Sequence, residues 1–210
     1  MQEQKRILVA LGVLGLLMPL LSMGFSLAFG GAYNEPQFLT SVSATHYSNA
    51  YLLFEGPLFA MGILMFLYRG YNNLDRFIFI FVGICTLLLV LFPCFREADV
   101  YRNFVMASPA VAHQVHFVMS ILVFLGYTYI IGFLFTKRNK KLKKVSRQKQ
   151  LRNRLYVVCA VLVAASVVIG YVGKNMLNLE LALYIGEFIA FWAFGFAFLA
   201  KGGVLLKDKR

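Results

Sequence analysis

Two stretches decide the reading of this chain: Ala50–Tyr68, AYLLFEGPLFAMGILMFLY, and Leu181–Ala200, LALYIGEFIAFWAFGFAFLA. Both have the length and apolarity of a bilayer-spanning helix, yet each carries one carboxylate, Glu55 and Glu187. A charge at the centre of such a helix costs about 2.5–3.5 kcal/mol on insertion scales. A residue retained at that cost faces the bundle interior, finds a partner and marks a functional site by default.

The rest of the sequence supports a membrane reading. Of the 210 residues, 60% are hydrophobic and only 14% charged, too few polar groups to cover a soluble domain of this size. Six apolar runs approach or exceed the ~20 residues that span a bilayer. They are Ile7–Phe29, Ala50–Tyr68, Phe77–Phe95, Pro109–Phe135, Leu155–Leu177 and Leu181–Ala200. The first is too long for the core of a cleaved signal peptide and lacks a small-x-small cleavage site, so it reads as a retained first helix. The fold class is therefore all-α: one transmembrane domain over residues 1–210, built as a six-helix bundle.

Basic residues orient it. Lys5, Arg6, Arg69, Arg76, ten Lys or Arg within Lys137–Arg154, and Lys201, Lys207, Lys209 and Arg210 put 18 of 21 on one side. Arg96, Arg102 and Lys174 fall on the other. Both termini are then cytoplasmic, and the net charge of +12 needs no nucleic-acid partner. The loop KRNKKLKKVSRQKQLRNR, Lys137–Arg154, reads as an anchor on anionic lipid. Binding of RNA or protein is the alternative, weakened for single strands by the lack of interleaved aromatics. Cys85, Cys94 and Cys159 fall in the apolar runs and form no C-x-x-C motif. Ser48 or Asn49 is the expected N-cap of the second helix, and Pro109 suits the first turn of the fourth. Pro57 and Pro93 are expected inside helices, where each frees a carbonyl.

Depth gathers the polar residues. At 1.5 Å per residue, Glu55 and Glu187 lie about 8 and 9 Å below the outer surface, and His113 and His116 about 6 and 10 Å. His113 and His116 share a helical face at i, i+3. His46 lies in the outer segment leading into the second helix, so all three histidines join both intramembrane carboxylates on one side. Three readings follow. His113, His116, Glu55 and Glu187 supply ligand types that zinc or another transition metal accepts. The same groups suit a pocket for a small molecule, lipid headgroup, ion or proton. Alternatively each polar group bonds a neighbour and holds the bundle together, with Lys174 as a partner for Glu187. Asp75 beside Arg76 reads as a solvated loop pair, Tyr68 and Tyr71 as an interfacial belt, and Trp192 as helix packing. No hydrolase triad spacing, P-loop or Rossmann fingerprint is present.

The string Ser41-Val42-Ser43-Ala44-Thr45-His46-Tyr47 resembles the S-x-S-A-T-x-Y signature of a bacterial family of six-helix membrane proteins filed as a domain of unknown function. The resemblance continues through Tyr68-Arg69-Gly70-Tyr71 with Leu74-Asp75, Leu91-Phe92-Pro93, His116-Phe117 and Arg152-Asn153-Arg154-Leu155-Tyr156 to Glu187, Trp192-Ala193-Phe194-Gly195 and Lys201-Gly202. It implies a six-helix fold in the bacterial inner membrane, favours His116 and Glu187 over His113 as site residues, and implies no activity. A looser similarity is to membrane hydrolases of the alkaline ceramidase and adiponectin-receptor type, which hold zinc with Ser, Asp and three His. This chain has six apolar runs where those have seven helices, and no H-x-x-x-H in the last.

The expectation is thus an outward-opening pocket lined by Glu55, His113, His116 and Glu187. The segment holding Ser43, Thr45, His46 and Tyr47 covers it. The leading function is ligand binding in a transporter, channel or sensor. The alternatives are metal-dependent hydrolysis of a lipid and an accessory membrane subunit. An oligomer is compatible with all three.

Overall fold

The computed structural model describes residues 2–30, 38–94, 105, 107–137 and 146–207. These form six helices: α1 (Gln2–Phe29), α2 (Tyr51–Leu67), α3 (Asn73–Leu91), α4 (Pro109–Tyr129), α5 (Arg147–Asn175) and α6 (Ala182–Gly202). A 3₁₀ helix, Ser43–Tyr47, precedes α2, and α4 runs on into a π-helical turn at Ile130–Leu134. There is no strand among the described residues. Five of the helices are long and apolar enough to cross a membrane; α2, with 17 residues, is a shorter apolar helix.

Each helix packs on its neighbours in the chain, and α6 returns to pack on α1, closing a ring in sequence order. Short connections such as residues 68–72 and 176–181 enforce antiparallel neighbours. α6 is the most buried of the spanning-length helices: 56% of its most apolar window is buried, against 33–39% for the other four. Its Phe191, Phe194 and Phe198 follow i, i+3, i+7 and project into the ring. Phe191 meets Phe124 at 5.8 Å between ring centres, Phe194 meets Tyr127 at 4.3 Å, and Phe198 meets Phe135 at 4.9 Å.

Lipid chains are as apolar as leucine, so helices in a bilayer associate through close packing rather than hydrophobic exclusion. Two glycine pairs allow it. A Cβ on Gly195 of α6 would lie 2.9 Å from the Gly12 carbonyl oxygen of α1, and one on Gly83 of α3 would lie 2.9 Å from that of Gly62 of α2. Trp192 packs as expected, with its indole N–H donating to Leu16 O at 3.2 Å.

Several local expectations are corrected. Pro93 and Cys94 lie beyond α3, which ends at Leu91, so Pro93 kinks no helix. Neither Ser48 nor Asn49 is the N-cap of α2; that position is Ala50. The Ser48 hydroxyl instead accepts the Ala50 N–H at 3.1 Å. The expected α5 start at Leu155 moves back to Arg147, because Arg, Gln, Lys and Leu are good helix formers and Ser146 caps the Lys149 N–H at 3.2 Å. Arg96, Arg102, Lys209, Arg210 and residues 138–145 of the basic loop lie outside the described residues.

Candidate functional site

Call the end of the bundle holding Ser43–Tyr47 the upper end. Here the string SVSATHY folds on itself. Ser41 Oγ accepts the Ala44 N–H at 3.0 Å, Thr45 Oγ1 donates to Val42 O at 2.6 Å, and Ser48 Oγ donates to Thr45 O at 2.9 Å. The hydroxyls reinforce the short 3₁₀ turn, since Val42 O and Thr45 O also accept the backbone N–H groups of Thr45 and Ser48. That is the local reason for the Ser/Thr-rich composition.

The folded segment docks on α6. Glu187 accepts the Val42 N–H at 2.5 Å and the Ser43 N–H at 3.4 Å, and the Tyr184 N–H donates to Thr40 O at 3.1 Å. The carboxylate thus meets the N-terminal amides of the 3₁₀ helix, where the unpaired N–H groups favour an anion. Tyr47 donates its hydroxyl to Cys94 O at 2.6 Å, tying the segment to the chain just past α3. His116 Nδ1, 2.8 Å from Phe92 O, carries the proton in that contact, since a carbonyl only accepts. His46 Nδ1 contacts the Glu55 carboxylate, and its ring stands edge-on to the Tyr47 ring at 4.7 Å.

Beneath the segment lies a cavity of about 420 Å³, bounded by α4, α5 and α6. Of the residues expected at the site, Ser43, Tyr47, His113, His116 and Glu187 line it. Thr45, His46 and Glu55 are not among its lining residues; Thr45 is fully buried in the segment, and Glu55 is engaged by His46. The structure therefore divides the expected set into a cavity group and a separate His46–Glu55 pair. Among the described residues, no group of three or more His, Cys, Asp or Glu is placed to hold a metal ion.

The cavity also uses residues that the depth argument passed over. α4 contributes Phe117, Ser120, Ile121 and Phe124, and α5 contributes Val167, Tyr171, Lys174 and Asn175. A helical signal marked them. On α4 the lining positions 113, 116, 117, 120, 121 and 124 follow one unbroken i, i+3, i+4 stripe. Lys174 shares the cavity with Glu187, while the hydrogen bonds to the carboxylate come from Val42 and Ser43.

The lower end holds a second polar cluster that the sequence reading dismissed. Asp75 is 1% exposed, not solvated beside Arg76. Its carboxylate pairs with Lys137 and accepts the Tyr71 N–H at 3.3 Å, while its own N–H donates to Asn72 Oδ1 at 2.8 Å. Gly70 makes the turn possible: its φ is +67°, and a Cβ there would fall 2.6 Å from Asp75 Cβ. The π-helical turn leaves the Phe135 carbonyl at a helix end, where Lys149 and Lys201 both donate to it, at 3.0 and 3.2 Å. Lys201 also stands 4.9 Å from the Tyr71 ring centre and 5.0 Å from that of Phe135. Asp75, Lys137, Lys149 and Lys201 each end on another protein group.

Comparison with protein-family models, with curated proteins and with solved structures finds no match for this chain. The functional reading therefore rests on the geometry above.

Proposed function

We propose that this chain is an integral protein of a bacterial cytoplasmic membrane, with six spans and both termini in the cytoplasm. Its upper, outward-facing cavity binds a small molecule, lipid headgroup or ion, in a carrier, channel or sensor. The cavity itself carries this reading. Roughly 300–1,000 Å³ is the usual size of a small-molecule site, and such sites combine apolar walls with a few convergent polar groups. Here about 420 Å³ is walled by Phe117, Ile121, Phe124 and Val167, with His113, His116, Lys174 and Glu187 converging on it. A bundle whose polar residues served packing alone would close on them, as the Asp75–Lys137 cluster does. The sidedness of the basic residues supports the outward orientation, with 18 of 21 assigned to the opposite face.

Native mass spectrometry of the protein released from nanodiscs tests this. Wild type should retain a co-purifying small molecule, and Val167→Phe, which fills the cavity from α5, should lose it with its melting temperature unchanged. Equal retention by both proteins would place the ligand elsewhere and overturn the reading.

A further inference from the structure

The cavity is graded along its length. Its upper mouth carries Lys174 and Asn175 from the last turn of α5 and His113 from the first turns of α4. Its depth, toward Ile121 and Phe124, is apolar. From His113 to Phe124 the α4 wall runs about 16 Å along the helix axis. The two deep hydroxyls make no demand on an occupant, since Ser120 donates to His116 O at 2.8 Å and Ser166 to Val163 O at 2.9 Å. A compact polar solute would leave that depth unfilled, whereas an alkyl chain matches it.

The cavity also has a side. Phe117 and Tyr171 line it, yet they are 45% and 52% exposed on the outer surfaces of α4 and α5. Their rings meet across the gap between these helices at 6.3 Å. The flanking Val118, Val168 and Ile169 are exposed and apolar, the surface that faces lipid. Two aromatic side chains in mutual contact are thus what divides the cavity from the bilayer.

Charge selects the head. The Glu187 carboxylate is turned onto the Val42 and Ser43 amides, so its charge is already met by the protein. Lys174, exposed at the mouth, lies within electrostatic reach of Glu187 and is a cation lining the space where a headgroup would sit.

We propose that the cavity takes a single-chain amphiphile with an anionic headgroup, a carboxylate or a phosphate, which passes from the bilayer between Phe117 and Tyr171 and sets its head against Lys174. This deepens the reading of the cavity as a ligand site and rests on it.

The test uses the full chain in phosphatidylcholine nanodiscs and three fluorescent probes: 11-(dansylamino)undecanoic acid, the alcohol of the same chain, and dansylglycine, which has the charge without the chain. Binding is read above the partition into empty nanodiscs. The acid should bind saturably and about fivefold tighter than the alcohol, the scale of one exposed charge pair. Lys174→Gln should bring the acid down to the alcohol, and Phe117→Ala with Tyr171→Ala should speed association of both. Displacement of the acid by oleate alone would identify a carboxylate head, and displacement by lysophosphatidic acid a phosphate. Equal binding of acid and alcohol to wild type would overturn the proposal, as would a Lys174→Gln variant that still prefers the acid. Dansylglycine binding as tightly as the long-chain acid, and lost in Val167→Phe, would overturn the amphiphile while leaving the ligand site standing. A Val167→Phe variant that bound every probe as wild type does would remove both.

Discussion

The two ends of the bundle solve the same problem differently. At the lower end Asp75, Lys137, Lys149 and Lys201 close on one another, on the Phe135 carbonyl and on the Tyr71 ring. At the upper end Glu187, His116 and Tyr47 each find a backbone partner, but those bonds anchor the roof and walls of a space instead of filling it. The lesson is that a satisfied polar group in a membrane bundle is not evidence for or against function by itself. What separates the Glu187 group from the Asp75 cluster is the volume enclosed beside the first once its hydrogen bonds are made.

That contrast breaks if changes at the lower end alter ligand binding, or if changes at the upper end act on stability alone. The largest effect is expected from Asp75→Ala. It leaves Lys137 without its carboxylate and the Tyr71 N–H without its acceptor, and should cost about 2–3 kcal/mol. That is below the 3–5 of a fully buried pair because Lys137 is 38% exposed. Thermal unfolding in detergent reads this, and ligand retention should stay at the wild-type level. Glu187→Ala should cost about 1–2 kcal/mol, since it strands the Val42 and Ser43 amides. Unlike Asp75→Ala it should also abolish retention, because the roof comes loose. Tyr47→Phe removes one hydrogen bond, to Cys94 O, and should cost about 1 kcal/mol in the same melt, with weakened retention. Glu55→Gln should change the melting free energy least, by about 0.5 kcal/mol, because the His46–Glu55 pair is only partly shielded, at 13% and 22% exposure. Retention by Glu55→Gln at the wild-type level would confirm that this pair stands apart from the cavity; loss would join it to the site.

The helices were legible from hydropathy because the apolar core of a bilayer imposes a run length that few other environments require. Their ends were not. Hydropathy stops at the edge of the apolar run, whereas a helix stops where its caps are, so α3 begins at Asn73 behind the Asn72 cap and α5 begins at Arg147 among charged residues. The site was legible by depth and not by azimuth. Glu55 and Glu187 were placed at the same level, but one turns to His46 and the other to the amides of Val42 and Ser43. Asp75 was misread because its neighbour in sequence, Arg76, suggested solvent, while its actual partner, Lys137, lies 62 residues away. Lys174 was read only as a partner for Glu187; the stripe on α4 with which it lines the cavity needed a helical-face count.

The ring in chain order has a bearing on how the protein is made. α1 packs on α2 and on α6, and the roof segment at Val42 and Ser43 is held by Glu187, which is also on α6. The ribosome delivers that helix after the other five. Until then Gly12 and Gly15 on α1 have nothing to press against, the Phe191–Phe198 ladder is missing from the interior, and the early roof segment has no acceptor for its amides. A chain truncated after Glu180 should accordingly be inserted and then degraded quickly in a pulse-chase experiment, and a long half-life would contradict this order of events. Assembly of the site is therefore a checkpoint on synthesis through α6: only a chain that has reached Glu187 owns an anchored roof.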